Sequence, residues 1–330
     1  MVSSMPLSRS SLLALGLLFP MLVLAAEPLE ETEAWLQKMQ RAAHTLNYEG
    51  TFVYGHDNNL SSMRIIHRAD AQGEQERLIA LDGSGREVVR NDDRVTCIMP
   101  DTQSVVVESK RPRKQFPPAF PMRIHNLVAI YRFRLAGEQQ VAGRTTQRID
   151  IQPRDAYRYG HHLWIDRKTG LLLKTHLVDK QGRPVEEFMF TRIRFLKKVP
   201  DEWLQPAVDA SRFARYEARQ APQQALDNPP EVIIGWMPPG FHEDLQQMQR
   251  LPASTHPVEH LVYSDGLASV SLFLEEEVER DTANLVGATR MGAVNAHGRS
   301  LGDYHVTVVG EVPHITVKKI STAVKLKPNR

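Results

Sequence analysis

The stretch from Tyr157 to Phe195 limits the fold more than any other part of the chain. Leu171, Leu173, Thr175 and Leu177 alternate with Leu172, Lys174, His176 and Val178, the period-two pattern of a strand. The flanking segments Asp166 to Gly170 and Asp179 to Gly182 open on Asp and close on Gly, which lets a chain reverse with one residue at positive φ. Three consecutive antiparallel strands follow from this. Read by parity, the third has Phe188 and Phe190 on one face and Met189, Ile193 and Phe195 on the other. A sheet that is apolar on both sides needs two covers, or one cover and a ligand.

Short strands of this kind recur upstream. Tyr48, Gly50, Phe52 and Tyr54 alternate with Asn47, Glu49, Thr51 and Val53, and Gly50 between aromatics implies close approach of a neighbour. Strands are expected at Ser62 to Arg68, Glu76 to Leu81, Arg86 to Arg90, Arg94 to Met99, Gln103 to Glu108, Tyr131 to Leu135, Gln139 to Val141 and Arg144 to Gln152, separated by turn residues. The sum is one large antiparallel sheet. A helix over Glu30 to Ala43, with Trp35, Met39, Ala42 and Leu46 at helical spacing, supplies one cover. Lys110 to Pro121 mixes four basic residues with prolines, so it is a loop, either a clamp for acidic groups or a solvated connection. Arg123 to Ile130 is expected as a short helix.

Periodicity fades from Asp201, and Gln220 to Pro230 reads as a linker; Arg212, Arg215 and Arg219 fall along one helical face there. A second, smaller domain follows, with strands at Val232 to Ile234, His260 to Tyr263, Leu267 to Leu274 and His305 to Val309. Asp265-Gly266 marks a hairpin, and Pro313 to Val324 suits strand or helix. The boundaries are 1–26 leader, 27–212 large domain, 213–230 linker and 231–330 small domain.

With 330 residues, 42% of them hydrophobic, the chain has enough material for about two domains. Its formal charge of +2 gives no global attraction to nucleic acid. Arg9 precedes an uncharged run from Leu12 to Leu24, and small residues follow at Ala25 and Ala26. This is an export signal cleaved near Ala25 or Ala26, shorter than a membrane span. One cysteine, Cys97, cannot form an internal disulfide; it reads as a small buried residue. Export without disulfides suits a Gram-negative periplasm.

Catalytic patterns are weak. His161 and His162 are adjacent in a strand and point to opposite faces. His256-Pro257-Val258-Glu259-His260 matches an inverted zincin pattern, which works only on a helix, and this stretch reads better as strand. Gly83-Ser84-Gly85 lies in a turn. No phosphate-binding glycine loop opens a helix. The expectation is a protein that is not an enzyme, with no catalytic residue, metal or cofactor.

Several blocks together resemble one family. Asn47 to Tyr54, Arg77 to Gly83 with Arg86 to Arg90, Pro153 to Phe195, Trp236-Met237-Pro238-Pro239-Gly240-Phe241, Tyr263 to Ala268 and Val306 to Pro313 resemble the RseB/MucB family in the same order. The resemblance implies an α+β fold: a large unclosed antiparallel β-barrel covered by helices, like the lipoprotein carriers LolA and LolB, plus a small C-terminal α+β domain. It implies a periplasmic negative regulator that binds the periplasmic part of an RseA/MucA-type anti-sigma factor. Binding shields that factor from site-1 proteolysis, restrains the sigma-E/AlgU response, and is reversed by lipopolysaccharide-type or acyl-chain ligands. A homodimer is compatible with it, and the rival is a lipid or lipoprotein carrier of the LolA kind. On this view Tyr48, Phe52, Tyr54, Trp164, Leu172, Phe188 and Phe190 line a lipid cavity or form sealed core. Arg64, Arg68, Arg192 and Arg194 are candidate head-group contacts, Arg192 and Arg194 being expected on the face of Phe188 and Phe190. Trp236, Phe241 and Tyr263 are candidate contacts for the anti-sigma factor.

Overall fold

The computed structural model describes residues 29–71, 73–92, 94–109, 124–218, 232–249, 257–276 and 285–327. The leader, the basic Pro-rich loop, the Gln220 to Pro230 stretch and His256 lie outside them. Helix α1, Leu29–Thr45, buries Thr32, Leu36, Met39 and Ala42 along one side. Glu30 and Glu31 in its first turn and His44 in its last complement the helix dipole.

The large sheet has twelve strands: β1 Tyr48–His56, β2 Asn59–Asp70, β3 Gly73–Ala80, β4 Glu87–Asn91, β5 Arg94–Met99, β6 Ser104–Ser109, β7 Tyr131–Val141, β8 Arg144–Pro153, β9 Gly160–Asp166, β10 Leu172–Val178, β11 Pro184–Phe195 and β12 Ala214–Ala218. Their spatial order is β12-β6-β5-β4-β3-β2-β1-β11-β10-β9-β8-β7. Among the described residues the sheet is unclosed, with β12 and β7 at its edges, and the β12–β6 pair alone is parallel. The meander forms around its turns: the Gly170 amide donates to the Asp166 carbonyl at 2.8 Å and that of Gly182 to Asp179 at 2.9 Å, with φ of 86° and 77° at the two glycines.

Both faces of the sheet are covered. On the inner face Tyr48, Phe52, Ile65, Phe188 and Phe190 pack with Ala42 of α1. Leu172 joins a second inner cluster with Leu36, Met39, Ile149 and Leu163. Across the outer face runs the chain after β11: Val199 and Leu204 cover Ile66, while Val208, Ala210 and Phe213 lie against Ile98, Val105 and Val107. Gly50 is where two layers come closest, since a Cβ there would sit 2.7 Å from a Phe190 ring carbon and from the Arg192 carbonyl.

The small domain begins with β13, Val232–Ile234, and builds a six-stranded sheet from β14 His242–Gln249, β15 Val258–Ser264, β16 Ser269–Glu276, β17 Gly287–Met291, β18 Val294–Leu301 and β19 Tyr304–Gly310. Its order is β14-β15-β16-β19-β18-β17. Helix α2, His314–Ala323, lays Val317 and Ile320 against Val270, Leu272, Val306 and Val308. The 317/320 spacing suits a helix stripe, so the ambiguous segment becomes helix. A final strand, β20 Val324–Leu326, pairs with β13.

Several expectations need correction. The β1–β11 register shifts between Thr51 and Phe52, so Phe190 pairs with Phe52 but Arg192 pairs with Thr51. The bulge reverses parity beyond Thr191, placing Arg192 and Arg194 on the outer face and bringing Ile193 and Phe195 to the inner one. Ala214–Ala218, read as linker, is the twelfth strand beside β6, and Arg215 lies within it rather than on a helix. Arg123 to Ile130 yields only a 3-10 turn at His125–Leu127. The two strands expected between Tyr131 and Val141 are one, bulged between Leu135 and Glu138 with Gly137 at φ 83°.

Candidate functional site at the domain seam

The segment Asp155 to Tyr159, just before β9, joins the two domains. Asp155 accepts from the Tyr157 amide at 2.9 Å and from Arg158 Nε at 3.1 Å, so a local Asx turn aims the arginine. Arg158 is fully buried and pairs with Asp265 of the small domain. Asp265 sits in the Asp-Gly turn, where its Oδ1 accepts from the Leu267 and Ala268 amides at 2.8 and 2.7 Å. That leaves Oδ2 for Arg158 and for the Tyr131 hydroxyl, the latter at 3.0 Å. Arg158 also donates to the Pro239 carbonyl at 2.7 Å, and its guanidinium lies 5.2 Å from the Phe241 ring centre. Burial disfavours the cation, but the hydrogen bonds it donates to Asp155 and the charge of Asp265 outweigh that, and its pKa rises. A buried ion pair with its remaining groups satisfied holds a geometry well even where its net contribution to stability is small.

Aromatic and polar contacts extend the seam. Tyr157 packs edge-on against Trp236 with ring centres 4.9 Å apart, and Lys319 of α2 stands 3.9 Å above the Trp236 ring. Thr316 Oγ1 donates to the Tyr157 carbonyl at 2.8 Å, and Lys319 Nζ to its hydroxyl at 3.0 Å. Farther along, the β1–β2 turn meets the β17–β18 turn: Asp57 pairs with Arg290 and accepts from the Gly292 amide at 2.6 Å, while Glu186 accepts from Ala293 at 2.8 Å. Asn295 Nδ2 donates to the Tyr159 hydroxyl at 3.1 Å. A recess of about 600 Å³ opens beside this contact, walled by Tyr159, Val185, Arg290, Asn295 and Ile315. Another of about 660 Å³ lies between the β1–β2 turn and the Asp179 turn, again with Arg290 in its wall. Their size is that of ligand or peptide side-chain pockets.

Sequence-derived candidates separate into several places. Tyr48, Phe52, Leu172, Phe188 and Phe190 are buried in the inner core, with Tyr54 half-buried at its margin. Trp164, though buried, is a cavity candidate that the register corrects, because it follows Leu163 in β9 and so turns to the opposite face, where Lys174 and Arg148 lie 4.9 and 5.1 Å from its ring centre. Arg64 and Arg194 lie on the outer face, where both pair with Glu49 at 3.1 and 2.8 Å and flank Trp203. Arg68 pairs there with Asp201 and Asp70, and Arg192 is exposed. Trp236 and Phe241 are at the seam, whereas Tyr263 donates to Glu243 at 2.9 Å on the small domain. Of the zincin-like stretch, Glu259 and His260 occupy strand β15, so they point to opposite faces; His260 stacks on Phe273 and bonds Ser271. The seam residues Asp57, Arg158, Asp265, Arg290 and Asn295 were not singled out by sequence. Asp265 carried a turn signal, and the others carried none.

Comparison with known proteins places this arrangement. The MucB/RseB N-terminal domain family matches residues 31–208, and the MucB/RseB C-terminal domain family matches residues 229–325. The chain is 33% identical over 323 residues to the sigma factor AlgU regulatory protein MucB of Pseudomonas aeruginosa, covering 96% of this chain and 97% of that protein. It superposes on MucB in the Pseudomonas aeruginosa MucA/MucB complex with a TM-score of 0.68 at 30% identity, covering 91% of this chain and all of that one. A MucB crystal structure in complex with MucA(peri) gives 0.67 at 30% identity, over 90% of this chain and 99% of that one.

Proposed function

This chain belongs to the MucB/RseB family, and we propose from that premise that it binds the periplasmic part of a MucA- or RseA-type anti-sigma factor. In doing so it shields that factor from site-1 proteolysis and restrains a sigma-E/AlgU-type stress response. The observation that carries the reading is likeness over both domains to a protein solved with MucA bound. Its place of action is then the periplasm, reached through the leader ending near Ala25 or Ala26. The protein works by occupancy and catalyses nothing; family membership supports this, not any missing motif.

The seam is where the partner is held and where a signal acts on its binding. Trp236, Phe241 and the two recesses lie where the domains meet, so a segment held there touches both. Any ligand that favours a different domain arrangement lowers affinity for the segment by its differential binding to the two states. A lipopolysaccharide-type or acyl ligand is the proposed signal. The aromatic inner face under α1 is the apolar surface available to it, and entry requires α1 to part from the sheet.

The test is proteolysis of the purified periplasmic segment by its activated site-1 protease, with and without this protein and then with lipopolysaccharide. Protection that the lipid reverses is the expected result. A segment cleaved equally fast in all three conditions refutes the reading.

A further inference from the structure

A third recess, of about 610 Å³, lies wholly within the small domain between the β13–β20 ribbon and strands β14 and β15. Val232, Ile234, Met237, Phe241 and Leu261 form apolar walls. Two carboxylates stand among them, and the exposed Lys327 lines the same recess. Glu259 is 3% exposed; its Oε1 accepts from Gln246 Nε2 at 2.8 Å, but its Oε2 has no hydrogen-bond partner among the described residues. Glu243 accepts from Tyr263 at 2.9 Å, and Tyr263 is close enough to feel the charge of both.

A buried carboxylate oxygen left without a donor is costly. It is an open seat for a donor that arrives with a ligand. The group that best fills it carries a positive charge, for a charge-assisted hydrogen bond, on an aliphatic stem that lies along the apolar walls. Strand β14 forms the rim and, among the described residues, pairs only with β15. Its exposed His242-Glu243-Asp244 run offers an acidic sheet edge to which an extended chain can add as a strand.

We propose that this recess receives a lysine or arginine side chain from an extended polypeptide laid along β14, with Glu259 as the buried counter-charge and Glu243 at the rim. The inference rests on the functional reading above in taking that polypeptide to be the anti-sigma segment. It adds a contact on the small domain, which shares Phe241 with the seam.

The test is calorimetric titration of the mature chain with the periplasmic segment of its cognate anti-sigma factor. Each Lys and Arg of the segment is replaced in turn by Met or Gln, against wild type, Glu259→Gln and Glu243→Gln. Glu259→Gln is expected to weaken binding about tenfold or more. One substitution in the segment should weaken it similarly, and the two together should not add. Should Glu259→Gln fail to fold, Glu243→Gln, at the exposed rim, decides through the same cycle with a smaller loss. Binding to both variants within twofold of wild type, or additive losses for every cation, overturns the proposal and leaves the functional reading intact. A wild-type chain that binds no segment overturns both. Saturable binding of cadaverine that depends on Glu259, with segment binding unchanged, overturns it in favour of a free amine.

Discussion

Replacing Glu76 by Gln is expected to change how the stability of the large domain depends on pH. Glu76 lies on β3 at 6% exposure, opposite His67 of β2, whose ring stacks on Tyr48 at 5.0 Å. Its ion-pair partner among the described residues, Arg90, is 4.0 Å away, and burial together with neighbouring Glu74 outweighs that attraction. The carboxyl is pushed up to about 7 from its ordinary 4.5. The folded chain therefore holds a proton that the unfolded chain has lost between these values, so stability is greatest below about 4.5 and falls as pH rises to about 7. At about 1.4 kcal/mol per pH unit, the full loss is about 3 kcal/mol. Burial shifts His67, His161 and His176 downward, and these lose stability in the opposite sense, as pH falls below their ordinary range. The informative quantity is accordingly the difference between the two proteins. Urea unfolding at pH 5, 6, 7 and 8 should show Glu76→Gln gaining on wild type by up to about 3 kcal/mol across the series. Parallel pH profiles would refute the argument.

Further outcomes follow from the same geometry. Gly50→Ala drives a methyl into Phe190 and the Arg192 carbonyl, and should cost about 1–3 kcal/mol in thermal or urea unfolding. Asp265→Ala removes the fully buried one of the two carboxylates paired with Arg158 and the acceptor of the Tyr131 hydroxyl, at a cost of about 3 kcal/mol. Hydrogen exchange should quicken at α2 and the Trp236–Phe241 loop before it does at β9–β11. Phe52→Ala empties a buried site between Phe188 and Phe190 and should cost about 3–5 kcal/mol. Arg192→Gln, on the exposed outer face, should leave stability within about 0.5 kcal/mol of wild type.

Much of the large domain is legible in the chain because its signals are local. The Asp-to-Gly turns and the α1 stripe depend on neighbours a few residues away, and each appears within a residue or two of its expected place; the alternation expected over Leu171 to Val178 is interrupted by register shifts between Leu172 and Lys174 and between Leu177 and Val178. Strands β14, β17 and β18 gave weaker signals. His242–Gln249 has five exposed residues in succession, and an edge strand with a solvated face shows no apolar alternation. The site was less legible still. Arg158 looks like any surface arginine until Asp155, Asp265 and Pro239 converge on it. Arg192 reads as sharing a face with Phe190 until pairing with β1 inserts a bulge.

The sequence by itself determined the strands, their turns, the covering helix and the presence of a second domain, since hydrophobic period and turn chemistry act over short stretches. Only the tertiary structure decided which face each arginine takes, where the two domains touch and which carboxylates end up buried. Those depend on register and docking between residues more than a hundred positions apart, where one skipped residue reverses a face and one buried charge has to find its partner.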